Sequence, residues 1–374
     1  MSAYLYHVFV EQLDLWIILG FFAQAMFTAR FLVQWIASER ARRSVVPVAF
    51  WTFSLADLCR CSIVAQSRSL SHTADFMAQY FSPKEVARAI GASESSLKRW
   101  VDKGMLSASK TAGGHRRLRL DSVLEYLRKS GRGLQNPTAI SLPEGVGRKQ
   151  VDSVDTSKSE LLSALIAGDE LAARRIILDL FISGRSVARI SDEVISPLFH
   201  KVGDLWECGK VQVYEERRAC EICQRLVHDL RLALGDGAAT GPVAIGGTLD
   251  GDPYTLATSL AELVLRENGW RATSLGNMLP FETIRKAIVD HQPDLLWLSI
   301  TSIRDEDRFA TEFNLLHDVA QTTRTSIVVG GRALGNSVRE RIGDATHFQT
   351  FEQMERFAKS LMPSLQIDAD PIAG

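Results

Sequence analysis

The spacing of apolar and polar residues changes character several times along the chain. From Leu15 to Ala37 apolar residues are interrupted only by Gln24, Thr28, Arg30 and Gln34. That run is long enough to cross a bilayer core of roughly 30 Å. No positive segment precedes it and no small-residue cleavage site follows it, so a signal peptide is not the reading. Arg40, Arg42 and Arg43 behind it would hold that end, and everything after it, on the cytoplasmic side. Arg30 in mid-span requires another helix or a polar site to face. A buried amphipathic helix is the alternative.

Residues 78–130 show short amphipathic helices and a hairpin, and 131–157 is rich in Gly, Pro and Ser with no apolar period, which reads as a flexible linker. Helical periodicity returns from Leu161 to Leu232, so 158–236 is expected to be a helical bundle of the four-helix type. After Gly241 short apolar runs alternate with amphipathic segments. Strands are expected at 242–249, 271–275, 295–300 and 326–329, and helices at 255–268, 281–291 and 306–322. This is an α/β domain with a doubly wound parallel sheet, spanning 241–362 and followed by a tail at 363–374. Ligands of such sheets bind at the carboxyl ends of the strands, here the loops at 249–257, 276–280, 301–305 and 330–336. The fold class is thus multidomain: an α-helical membrane fragment over 1–62, a winged helix-turn-helix, a bundle, and an α/β domain.

The helix-turn-helix is written in its caps. Ser82 precedes Pro83 and Glu85, the arrangement that opens a helix, and Gly91-Ala92-Ser93 turns the chain and caps a second helix through Leu97 and Trp100. The second helix presents Ser95, Lys98 and Arg99 outward as candidates for reading bases or phosphates. Gly113-Gly114 permit a sharp hairpin whose tip and return strand carry His115, Arg116 and Arg117, a basic wing suited to flanking phosphates.

With 374 residues, 46% hydrophobic and 23% charged, the chain has material for two or three folded units. A net charge of −1 gives no global attraction to nucleic acid. Residues 78–132 nevertheless hold twelve Lys and Arg against five Asp and Glu, so one strongly basic domain is hidden in a near-neutral whole. The five cysteines form no even framework, and a reducing cytosol is the default. Cys220 and Cys223 form a Cys-x-x-Cys without a second pair, which argues against zinc.

Three resemblances organise these observations. Gly20 to Gln24, Phe27 to Trp35, Ser38 to Arg40, and Pro47 to Trp51 with Ser54-Leu55 resemble the lipid A biosynthesis N-terminal domain, densely over 16–56, after which Asp57, Arg60 and Arg68 break the pattern. Either this is a genuine fusion with possible membrane attachment through 15–37, and so an inner-membrane anchor for a cytoplasmic DNA-binding portion, or the start lies near Met77. The Ser-Pro-Lys-Glu-Val-Ala opening at 82, Leu97-Lys98-Arg99-Trp100 and the wing at 111–117 resemble MerR-type winged helices, implying double-stranded DNA as partner. The bundle followed by the α/β domain, with Gly269, Gly276, Pro280, Ser299 and Gly330-Gly331, resembles the cobalamin-binding module of CarH-type photoreceptor repressors.

What the last resemblance implies is a cobalamin held by Trp206, Glu216, Asp252, Ser299, Gly330 and Gly331. The family's Asp-x-His-x-x-Gly loop stands here as Asp252-Pro253-Tyr254-Thr255-Leu256-Ala257, so the axial His is absent and Tyr254 occupies its place; the family's Glu-His pair is Glu216-Arg217. A phenol, with an ordinary pKa of about 10, is a poorer cobalt donor than imidazole. Three readings stand: cobalamin bound base-on or in altered form; another planar ligand such as haem on Tyr254, His200 or His228; or a degenerate module that only oligomerises or binds a partner. Asp250, Asp252, Asp305, Glu306 and Asp307 line loops without a nucleophile or base beside them, so no enzyme is expected. The functional expectation is a DNA-binding regulator forming a homo-oligomer, whose sensor sets the spacing of two winged heads in response to ligand or light. The alternatives are a membrane-associated protein related to lipid A synthesis, and a cobalamin or haem carrier without a DNA role.

Overall fold

The computed structural model describes residues 80–368 except Ala112, 148–152 and 236–239, with side chains as far as Met362. The membrane reading of 15–37 and the 1–62 fragment lie outside these residues. Among the described residues no helix is long and apolar enough to cross a membrane.

The chain enters on strand β1 (Tyr80–Phe81) and helix α1 (Pro83–Ile90). Ser82 closes a capping box: its N–H donates to Glu85 Oε2 at 2.7 Å while its hydroxyl accepts from the Glu85 N–H. These hydrogen bonds hold the Glu85 carboxyl below the usual range. Gly91, at φ 74°, ends the helix in the left-handed region and turns the chain into helix α2 (Glu94–Asp102), capped by Ser93. Strands β2 (Ala108–Lys110) and β3 (Arg116–Arg119) form an antiparallel hairpin to which β1 adds, and helix α3 (Leu120–Ser130) follows. Val86, Ile90, Leu97, Leu118, Leu124 and Leu127 are buried between these elements, with Trp100 and Tyr126 in ring contact at 5.1 Å.

The stretch read as a flexible linker is packed in its described part. Leu134, Ile140, Leu142 and Val146 are buried in the same core as the head and the bundle. The N–H groups of Gln135 and Asn136 both donate to Ala89 O at the end of α1, and Gly147 N–H donates to Asp179 in the bundle at 2.6 Å. Glycine and proline made 131–147 look unstructured; the turns they form in fact bring four apolar side chains inward.

The bundle contains α4 (Val154–Ala167), α5 (Glu170–Ile182), α6 (Val187–Ile190), α7 (Ser196–Glu207) and α8 (Val213–Leu234). Between α6 and α7 lies a π-helical turn, Ser191–Ile195, which carries Asp192. The last domain runs β4 (Val243–Thr248), α9 (Leu256–Glu267), β5 (Arg271–Ser274), α10 (Phe281–His291), β6 (Leu295–Ser299), α11 (Glu306–Thr323), β7 (Ser326–Gly330), α12 (Asn336–Arg339), β8 (Thr346–Phe348) and α13 (Phe351–Asp368). Its five strands are all parallel in the order β5-β4-β6-β7-β8. Ile284, Ile288, Phe309 and Phe313 cover one face; Ala261, Leu265, Met354 and Ala358 cover the other. This is a doubly wound sheet, whose switch point falls between β4 and β6. Helix α13 runs past the point where a tail was expected to begin. Its first N–H groups, on Phe351 and Glu352, donate to Asp192 of the bundle at 2.9 and 2.8 Å, so one domain caps a helix of the other.

Two outcomes follow. A Cβ at Gly91 would lie 2.1 Å from the Gln135 side chain, in a backbone region hostile to L residues. Gly91→Ala should therefore cost about 1–3 kcal/mol in a urea titration, by strain and by displacing the packed segment. Burial pushes the Cys220 and Cys223 thiols up to about 12, whereas Cys208 is exposed. Iodoacetamide at pH 8 should label Cys208 and spare the other two in the folded chain, read by peptide mass spectrometry; equal labelling would contradict the packing of α8.

Candidate nucleic-acid interface and ligand site

On α2, Ser95, Lys98, Arg99 and Asp102 recur at three- and four-residue spacing and form one stripe, while Leu97 and Trp100 face inward. Ser95, Lys98 and Arg99 are exposed. The hairpin is brought beside that stripe by an ion pair, Arg116 Nη2 to Asp102 Oδ1 at 2.8 Å. Helix and hairpin therefore form one continuous basic face. Arg116 is thereby half-committed to an internal partner, and Arg117 lies near enough to Glu85 at the start of α1 to lower its pKa. His115 is exposed at the turn, where its N–H donates to the Thr111 hydroxyl and its carbonyl accepts from the Thr111 N–H. Arg132, not singled out by pattern, holds its guanidinium 4.9 Å above the Trp100 ring.

The second candidate site is the carboxyl edge of the parallel sheet. Strand register places Thr248, Ser299 and Gly330 in one row across β4, β6 and β7. Thr248, fully buried, organises the edge: its hydroxyl donates to Asp252 O at 2.5 Å and accepts from Met278 N–H at 3.0 Å. Met278 sits at φ 53°, an uncommon conformation for its residue type, held between that bond and the Leu249–Leu279 bridge. Asp252 is also fully buried. Its carboxylate accepts the N–H of Thr301 at 2.5 Å, the hydroxyl of Thr301 at 2.7 Å and the N–H of Tyr254 at 3.2 Å. Thr301 was invisible as a partner in the sequence, because only the fold brings it across the switch point.

Asp252, Tyr254, Ser299, Gly330 and Gly331 thus converge on one edge. Trp206 and Glu216 do not join them through any described contact; they lie on α7 and α8. Trp206 is 50% exposed, and Glu216 is engaged by Cys220 and Arg217. The bundle does reach the edge one step further along α8, where Gln224 Nε2 donates to the Thr255 hydroxyl at 2.5 Å. Arg217, seven residues before Gln224, lies two turns away on the same helix face. Gly330-Gly331 has an internal explanation: a Cβ at Gly331, φ 118°, would lie 2.1 Å from Ile300 O.

The donor set does not fit a cobalamin ligated from the protein. Tyr254 is 43% exposed, and the Asp252 carboxylate that would orient a ligating ring is spent on Thr301. Trp297, buried, lies over Gly246 and donates its indole N–H to Thr258, filling the space between α9 and the sheet. His200 and His228 are exposed on α7 and α8, and no group of three or more metal-ligating side chains occurs among the described residues. The loop acids have structural tasks: Asp305 caps α11, and Glu306 and Asp307 meet Arg341.

Parts of the chain are similar to known families and proteins. Residues 80–131 match the helix-turn-helix domain family, 158–230 the B12 binding domain family, and 19–68 the lipid A biosynthesis N-terminal domain family. The HTH-type transcriptional repressor CarH of Myxococcus xanthus is 26% identical over 294 residues, covering 73% of this chain and 96% of the repressor. The repressor CarA of the same organism is 23% identical over 66% of this chain and 85% of its own length. Among solved structures, the monomethylamine corrinoid protein of Methanosarcina barkeri superposes with a TM-score of 0.49 at 16% identity, covering 56% of this chain and all of that one. In sequence the chain is thus similar to the CarH and CarA transcriptional repressors, and it carries a match to the helix-turn-helix domain family ahead of a match to the B12 binding domain family.

Proposed function

We propose that the protein is a DNA-binding transcriptional regulator that acts without catalytic chemistry, its α2 stripe and hairpin docking on duplex DNA and its C-terminal module serving as a cobalamin-type sensor. The observation that carries this reading is the Arg116–Asp102 pair, which joins Ser95, Lys98 and Arg99 to the hairpin in a single basic surface suited to a groove and its flanking phosphates. Helix α2 would enter the major groove with Lys98 and Arg99; Arg117 and His115 would hold the adjacent backbone. Two such heads in a homo-oligomer would read paired half-sites.

The sensor takes its ligand by packing. Trp206 on the bundle and Tyr254 on the sheet edge offer exposed aromatic surface, and Ser299, Gly330 and Gly331 shape the floor. A macrocycle there would be held by these residues through packing, since the loop offers Tyr254 where a nitrogen donor would be needed.

Lys98→Ala with Arg117→Ala should reduce affinity for a duplex selected by the wild-type chain by about two orders of magnitude and flatten the salt dependence by roughly two charges, each phosphate contact contributing close to one unit of slope. Gel shifts across a salt series measure both, and an unchanged slope would remove the head from the DNA. For the sensor, the full chain is incubated in the dark with adenosylcobalamin and dialysed. Tyr254→Phe should leave the visible spectrum of the retained cobalamin as it is, while Trp206→Ala should lower retention about tenfold by removing aromatic packing. A spectral change in Tyr254→Phe would mean that the phenol does ligate cobalt.

A further inference from the structure

Helix α9 connects the ligand edge to the DNA-binding head. It starts beside Thr255, in the loop built on Asp252, and runs about 18 Å at 1.5 Å per residue to Glu267. Midway, Glu262, almost fully buried, receives Arg231 of α8 and Arg266 of its own helix, both at 2.9 Å. Arg266 also donates to Ala272 O on β5. The helix is thus fixed to bundle and sheet along its length. At its far end Glu267 uses both oxygens: one accepts Arg128 Nη2 from head helix α3 at 2.6 Å, the other the Val187 N–H at the start of α6, also at 2.6 Å. Arg128 further donates to Arg185 O at 3.1 Å and lies 4.0 Å over the Phe181 ring. The two side chains are 19% and 12% exposed.

We propose that Arg128 and Glu267 are positioning residues for DNA recognition: they set the orientation of the winged head on the sensor. The inference rests on the DNA-binding reading. Head, bundle and α/β domain meet nowhere else through one charged pair, among the contacts described above. A buried pair of this kind has a small number of geometries, so breaking it frees α3 from one orientation rather than stretching the contact.

The test uses the full chain. Glu267→Ala and Arg128→Met break the joint, Glu267→Gln keeps the acceptor for Val187 but removes the charge, and Leu124→Ala weakens the head core without touching the joint. Hydrogen exchange read by mass spectrometry, and affinity for a selected duplex and for each of its halves, are measured on each. The expected result is exchange at least tenfold faster in 120–130 and 183–190 for the two joint-breaking variants, with β4 and β6 unchanged. Their affinity for the full duplex should fall at least tenfold relative to its halves, Glu267→Gln lying between; Leu124→Ala should alter full and half duplexes alike. Should Glu267→Ala fail to fold, Glu267→Gln carries the comparison. An unchanged ratio of full to half affinity, or exchange equal to wild type at the joint, overturns the proposal. A wild-type chain that selects no duplex overturns the regulator reading instead, and the exchange rates alone then decide whether the joint holds the head.

Discussion

Opposite charges held away from water where three packed units meet govern how this molecule can be put together. Arg128 and Glu267 gain little net energy from attraction, because both lose hydration; their importance lies in what happens when one is left alone, a cost of about 3–5 kcal/mol. Every arrangement of head and sensor that separates them carries that cost, and the Val187 N–H and Arg185 carbonyl would lose partners as well. Apolar burial holds the core together without choosing an orientation. The charged pair, with the Phe181 ring beneath it, makes the choice.

A similar logic governs the carboxyl edge. Two buried groups, the Thr248 hydroxyl and the Asp252 carboxylate, are held by hydrogen bonds from neighbouring loops. On the reading proposed above, a ligand at this edge would be held by contact with exposed aromatic surface such as Tyr254.

Much of the architecture could be read from local chemistry. The Ser82 capping box and Gly91 announce the first helix and its turn through bonds spanning only a few residues, and the apolar runs around Val243, Leu295 and Ser326 fix parallel strands to within a residue of their observed ends. The short strand at Thr346 was not anticipated, because three residues carry too little periodicity. The site was less legible for a physical reason. Asp252 was recognised by motif, but its partner Thr301 lies 49 positions away and is joined only by the sheet. Arg128 and Glu267, 139 positions apart, each looked like ordinary surface charge at a helix end. Arg116 reads from the sequence as a phosphate contact, whereas the fold sets Asp102 beside it.

The packed segment from Leu134 to Gly147 bears on how such a protein is inherited. Winged heads are often pictured as cassettes that recombination attaches to any sensor. Here Gln135 fills the space a methyl would take at Gly91, and Gly147 answers to Asp179. A crossover placed just behind α3 would strip the head of part of its own interior and leave the Ala89 carbonyl without its donors. A workable exchange of specificity has to carry this segment along with the head, and its matching residue Asp179 on α5 as well.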